Sequence, residues 1–164
     1  MNKKKSAIIG LLLGCAGIAG SGSAAAGSDR NLQFHPATGQ GAGVSFTATL
    51  PKGYELQGIG PEWYVVEKGT TRPLVLVKFQ IGKTVEDLVA NGFERVDDTK
   101  PLDFADGVAG TVVTGSYQAP PEEEYVQPWY LHPAPGEDGI FMIAEYRAQP
   151  WAPFQRFAES FRQE

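Results

Sequence analysis

Thiol and imidazole chemistry in this 164-residue chain is confined to three side chains, Cys15, His35 and His132. Both histidines precede a proline, and neither H-x-x-x-H nor H-E-x-x-H spacing occurs. A transition-metal site would therefore need carboxylates gathered from distant segments. His132 reads as a loop side chain beside a turn, its ring against an aromatic neighbour. No G-x-S-x-G, S-x-x-K or Cys–His arrangement pairs a nucleophile with a base. Residues Gly39 to Gly43 have the composition of a phosphate loop, but no strand leads into them and no Lys-Ser or Lys-Thr opens a helix after them. The pattern predicts a protein that is not an enzyme, with no catalytic set, cofactor or metal site.

Acidic side chains recur as Asp97 with Asp98, Asp103 with Asp106, and Glu137 with Asp138. They miss the alternating oxygen spacing of an EF-hand, and each is expected in a solvated turn, where Asp is favoured. Paired carboxylates for glycoside hydrolysis remain open, because their separation is set by the fold. One segment combines charge with aromatic surface. Between Ala119 and Tyr130 lie three prolines, three consecutive acids and three aromatic residues. Prolines lower the entropy lost on docking, and Tyr and Trp are enriched at interface hot spots. Glu122, Glu123, Glu124, Tyr125, Trp129 and Tyr130 are accordingly the candidate partner-binding residues, and their partner surface is expected to be basic. In the competing reading the segment is a solvated hairpin loop whose Tyr125 and Trp129 cap the core.

Lys3, Lys4 and Lys5 precede an apolar stretch from Ala7 to Leu13, the charged and hydrophobic regions of a secretory signal. Seven Gly and Ser residues between Gly10 and Ser23 dilute it below a good membrane span. The run Leu12-Leu13-Gly14-Cys15 resembles the lipobox of bacterial lipoproteins. That resemblance implies cleavage before Cys15, a diacylglyceryl thioether on its sulfur, and an address at the outer membrane facing the periplasm, since Ala16 is not a retention signal. More than one acyl chain makes a stable anchor. Cleavage after Ala26, within Ala24-Ala25-Ala26, would instead release a soluble periplasmic protein.

Residues 1–26 hold three of the 14 cationic residues and none of the 19 acids, so removing them takes the net charge from −5 to −8. Such a balance disfavours nucleic acid and anionic lipid as main partners. With Cys15 the sole cysteine, no disulfide framework is available.

Residues 15–43, rich in Gly, Ser and Ala, read as a tether, and residues 44–164 as one folded domain. Val44, Phe46, Ala48 and Leu50 alternate with polar residues as a half-buried strand does. Strands are also expected over Trp63 to Glu67, Leu74 to Ile81, Glu94 to Phe104 with a break near Pro101, Val108 to Tyr117, Tyr125 to Leu131 and Ile140 to Tyr146. Residues Gln118 to Glu124 read as a loop, and Asp106-Gly107 as a tight turn. Thr84 and Asp87 form a variant capping box for a helix running to Asn91, with Gly92 as its left-handed stop. A second helix is expected from Ala152 to Arg162, where Phe154, Phe157, Ala158 and Phe161 share a face and Pro153 fits the first turn.

The order predicts an α+β fold, a mostly antiparallel sheet with one internal and one C-terminal helix packed on it. Three carried elements make it resemble the PsbP-like fold, shared by extrinsic photosystem proteins, a Ran-binding import factor and several bacterial lipoproteins. They are Phe46 to Tyr54 with its Leu-Pro-x-Gly-Tyr turn, Lys83 to Leu88 with the hairpin after it, and Phe157-x-x-x-Phe161. The resemblance implies a non-enzymatic scaffold that docks onto other proteins. One specific form is an immunity protein that plugs a toxin acting in the periplasm. The alternatives are an assembly or maintenance factor of an envelope complex and, behind both, a cell-wall hydrolase.

Overall fold

The computed structural model describes residues 30–34, 44–59, 62–119 and 123–164. Cys15, His35, the Ala24 to Ala26 site and Glu122 lie outside them. In chain order the elements are β1 (Arg30–Phe34), β2 (Phe46–Leu50), β3 (Tyr54–Ile59), β4 (Glu62–Glu67), β5 (Pro73–Ile81), α1 (Val85–Gly92), β6 (Arg95–Asp103), β7 (Ala109–Ala119), β8 (Glu123–Pro133) and β9 (Gly139–Glu145). A short 3-10 turn (Tyr146–Ala148), α2 (Phe154–Glu159) and β10 (Arg162–Gln163) complete it.

Strands β3 to β9 build a seven-stranded antiparallel sheet in the order β3-β4-β5-β9-β8-β7-β6, and a smaller sheet has the order β1-β2-β10. The molecule is thus mostly antiparallel sheet with two helices, as the element order predicts. Arg30–Phe34 lies inside the stretch read as tether, yet it pairs residue for residue with β2. Strand β3 and the two-residue β10 were also not legible in the sequence pattern.

Alternation along each strand decides which face a side chain joins. Val75, Val77 and Phe79 of β5, Phe141 and Ile143 of β9, and Tyr130 of β8 meet Phe46 of β2 and Phe157 of α2 in the larger core. Phe46, Phe141, Phe157 and Phe161 are fully buried, and the Phe46 and Phe161 rings stack 4.7 Å apart. Each such ring contributes about 1.5–3 kcal/mol by leaving water. The opposite face carries Leu131, Ile140, Met142 and Trp129, covered in part by Leu88 of α1.

The capping box forms as read. The Asp87 N–H donates to Thr84 Oγ1 at 3.2 Å, and the Thr84 N–H to Asp87 Oδ2 at 3.0 Å. Gly92 corrects the expectation for the helix end. It is the last residue of α1 and is not among the glycines with positive φ; the chain leaves through Phe93 in extended conformation. Its lack of a side chain serves packing, because a Cβ there would stand 2.6 Å from the Trp129 ring. Helix α2 is shorter than its apolar stripe: Ser160 ends it, and Phe161 reaches the core from the link to β10.

Asp97 and Asp98 lie within β6 rather than in a turn, paired with Arg95 and Lys100, each at 2.7 Å. The strand runs through Pro101 without a break. It is a sheet edge, where a proline is tolerated and where charges and a bulge between Val96 and Asp98 discourage pairing with another chain.

Candidate functional site

Strand β7 ends at Ala119, opposite Glu123 where β8 begins, so both strands run into the stretch expected as a loop over 118–124, and Pro128 sits in the ladder opposite Thr114. This long hairpin determines where each candidate residue goes. Glu123 and Glu124 are exposed at its tip, and Tyr125 is half-buried. Trp129 and Tyr130 are buried, and as neighbours in a strand they point to opposite faces. Trp129 packs on Phe93 at 4.3 Å and Tyr130 on Phe154 at 5.4 Å. The two are core residues, not exposed anchors, which corrects that part of the expectation.

Alternation also assembles a site the linear reading missed. Tyr125, Gln127 and Trp129 share one face of β8, with Tyr117 of β7 opposite Tyr125. On that face, beside the area covered by α1, lies an open trough of about 280 Å³. Tyr64 of β4, Tyr117, Trp129 and Tyr146 supply its rings, and Leu76, Met142 and Ala144 supply apolar surface. Tyr117 meets Trp129 at 5.1 Å and Tyr125 at 5.7 Å, while Tyr64 meets Tyr146 at 5.7 Å. Four of the six tyrosines thus gather at one place, next to the acidic tip. A period-two reading of residues 123–131 would have put Tyr125 on one face with Gln127 and Trp129; Tyr64, Tyr117 and Tyr146 join them only through the fold.

The polar groups of the trough differ in how far they are engaged. Tyr64 donates its hydroxyl proton to the Glu62 carboxylate, which also pairs with Lys78 at 2.9 Å. Burial pushes the Glu62 carboxyl up, but Tyr64 and Lys78 outweigh it and hold the group below its ordinary range. Burial and the Glu62 charge raise the Tyr64 phenol well above its ordinary value. Glu145 accepts the Trp151 N–H at 2.7 Å. Tyr125 donates to Glu123 at the tip. Gln127 Nε2 donates to the Tyr117 hydroxyl at 2.9 Å, so the proton of that hydroxyl is left to point elsewhere. Burial above all pushes the Tyr117 phenol up to about 12, which keeps it a donor. Gln127 Oε1 and Trp129 Nε1 are buried and have no hydrogen-bond partner among the described residues.

Arg147 closes one side. Its guanidinium lies 5.3 Å from the centre of the Tyr146 ring, a cation–π distance. Its backbone is left-handed (φ 50°, ψ 46°), and so is that of Ala148 (φ 49°). Two successive residues with a Cβ in this region cost about 1–2 kcal/mol each, and such strain concentrates where a side chain must be held in place.

A second polar centre sits in the core. His132 is a strand residue with no exposed surface, not a loop side chain, and its ring lies 4.7 Å from Phe104 and 5.1 Å from Phe161. The expected aromatic neighbour is therefore present, but the setting is the core. Nε2 is 2.8 Å from Asp106 Oδ2, which also accepts the Gln163 N–H at 2.9 Å, and Asp106 Oδ1 accepts the Val108 N–H at 3.0 Å. Burial pushes the Asp106 carboxyl up, yet the backbone donors Gln163 and Val108, together with His132, hold it below the usual carboxylate range. Asp106 does occupy the predicted turn, with Gly107 at φ +80°, but it is tied inward rather than solvated. Glu137 and Asp138 are exposed in the β8–β9 turn. Among the described residues no group of three or more His, Cys, Asp or Glu side chains is placed to hold a metal ion.

No family model, curated protein or solved structure matches this chain.

Proposed function

We propose that this chain is an envelope lipoprotein, anchored through Cys15, whose domain binds another protein with the tyrosine trough and the adjoining β7–β8 tip. The observation that carries this reading is the gathering of Tyr64, Tyr117, Tyr125 and Tyr146 around one open trough beside the exposed Glu123 and Glu124. Tyrosine gives large, rigid contact area at low conformational cost, and exposed acids steer a basic partner surface. The specific form we favour is an immunity protein that blocks a toxin in the periplasm. A non-catalytic role is supported by the position of His132, whose pairing with Asp106 is enclosed by aromatic rings. The order of strands, α1, long hairpin and C-terminal helix is in keeping with a PsbP-like scaffold.

Crosslinking of the mature protein in its own cells, followed by mass spectrometry, identifies the partner. One stoichiometric toxin-like protein is expected; several resident envelope proteins would select an assembly role. With the partner in hand, the variant Glu122→Ala/Glu123→Ala/Glu124→Ala is expected to bind with a slower association rate and a weaker dependence on salt. Unchanged affinity at low salt would remove the acidic tip from the interface.

A further inference from the structure

We propose that the trough is a carboxylate-binding site, in which Arg147 and Tyr117 are the donors and a peptide carries the carboxylate. The charges around the trough are otherwise engaged. Glu62 is held by Tyr64 and Lys78, and Glu145 takes the Trp151 N–H. Among the described residues no carboxylate lies within ion-pair distance of Arg147, whose guanidinium rests over the Tyr146 ring. A guanidinium over a ring face still has N–H donors for a carboxylate, the anion its fork matches.

Tyr117 supplies the second donor, because the Gln127 amide occupies its acceptor side and leaves the O–H to the trough. The left-handed backbone at Arg147 and Ala148 presents the guanidinium at this rim, at a cost that solvent exposure alone does not explain. Arg147, a cation that lines the trough without a carboxylate partner among the described residues, therefore selects an anion. The carrier follows from the apolar surface. Leu76, Met142 and Ala144 give the trough an apolar stretch that suits an apolar side chain next to a chain-terminal or side-chain carboxylate. A partner segment with a carboxylate for Arg147 and basic residues for Glu123 and Glu124 would be fixed in one direction.

The test is titration of the isotope-labelled full-length chain, followed by NMR, with acetyl-Ala-Leu, its C-terminal amide and glucuronate. Acetyl-Ala-Leu is expected to bind saturably at the trough, with the amide at least about tenfold weaker. Arg147→Gln and Tyr117→Phe should each weaken the acid at least about fivefold, with an unchanged response to the amide; Arg147→Gln should leave the melting temperature unchanged, whereas Tyr117→Phe also strands the Gln127 amide and lowers it. Absence of binding, equal binding of acid and amide, or undiminished binding by Arg147→Gln overturns the inference. Glucuronate binding as tightly as the dipeptide overturns the peptide carrier and assigns the site to an acidic sugar. The inference rests on the protein-docking reading only for that carrier. The dipeptide arms do not involve Glu122 to Glu124, so either proposal can fail while the other stands.

Discussion

Asp106 accepts hydrogen bonds from three separate parts of the chain: the turn it belongs to, strand β8 through His132, and the last strand through Gln163. It ties the C-terminal strand to the core. Asp106→Asn keeps the shape but removes the charge that strengthens these bonds, and is expected to cost about 2 kcal/mol at neutral pH. The dependence on pH follows from the lowered folded-state value. The stabilisation is fully present above the unfolded value of about 4 and is lost as pH falls through the still lower folded value. Urea unfolding of wild type and Asp106→Asn should show a constant gap from pH 7 down to about 4, narrowing below it. A gap of the same size at pH 2.5 would contradict the role given to the ionised carboxylate. Neither the Asp106 network nor the enclosure of His132 was legible in the sequence, because His132, Asp106 and Gln163 meet only through long-range pairing. Their local context signals only a turn.

Among the elements, those with a strong internal rhythm were legible. The alternation in β2 and β5 and the Thr84–Asp87 box of α1 stand where the residues place them. Strand β3 was missed because Gly58 and the nearby Pro61 read as punctuation, and β1 because glycine, serine and alanine surround its five residues. The hairpin was misread at its tip for a related reason: Pro120, Pro121 and Pro128 suggest loop, yet the ladder continues up to Ala119 and resumes at Glu123. Pairing of strands adjacent in sequence was legible, as in β4–β5, β6–β7 and β8–β9, but contacts between elements distant in sequence were not, and Gly92 shows why. Its place at the end of α1 suggests a stop signal, whereas its actual constraint comes from Trp129 on β8. Gly92→Ala puts a methyl into that ring and is expected to destabilise the domain by about 1–3 kcal/mol. Chemical denaturation measures it. A loss below about 0.5 kcal/mol would mean that α1 rides free of the sheet.

At the scale of the molecule, the proposed function joins an anchor to a docking face. Strand β1 starts at Arg30, so residues 15–29 are all that separate the proposed lipid on Cys15 from the first strand. This is about half the tether expected from composition, and with the proposed lipid in place so short a span would hold the domain near its membrane and raise its effective concentration toward neighbours. Cys15→Ser is expected to move the protein from the membrane to the soluble fraction; persistent membrane attachment would refute the lipid anchor.

The docking face itself is open to the most direct measurement. A photo-reactive amino acid placed at Tyr125, on the trough side, and in a separate variant at Thr99, on the charged edge strand β6, reports which surface a partner touches in living cells. The prediction is a crosslink to one protein from position 125 and none from position 99. A partner captured from position 99 and not from 125 would place the interface elsewhere and contradict docking through the tyrosine trough.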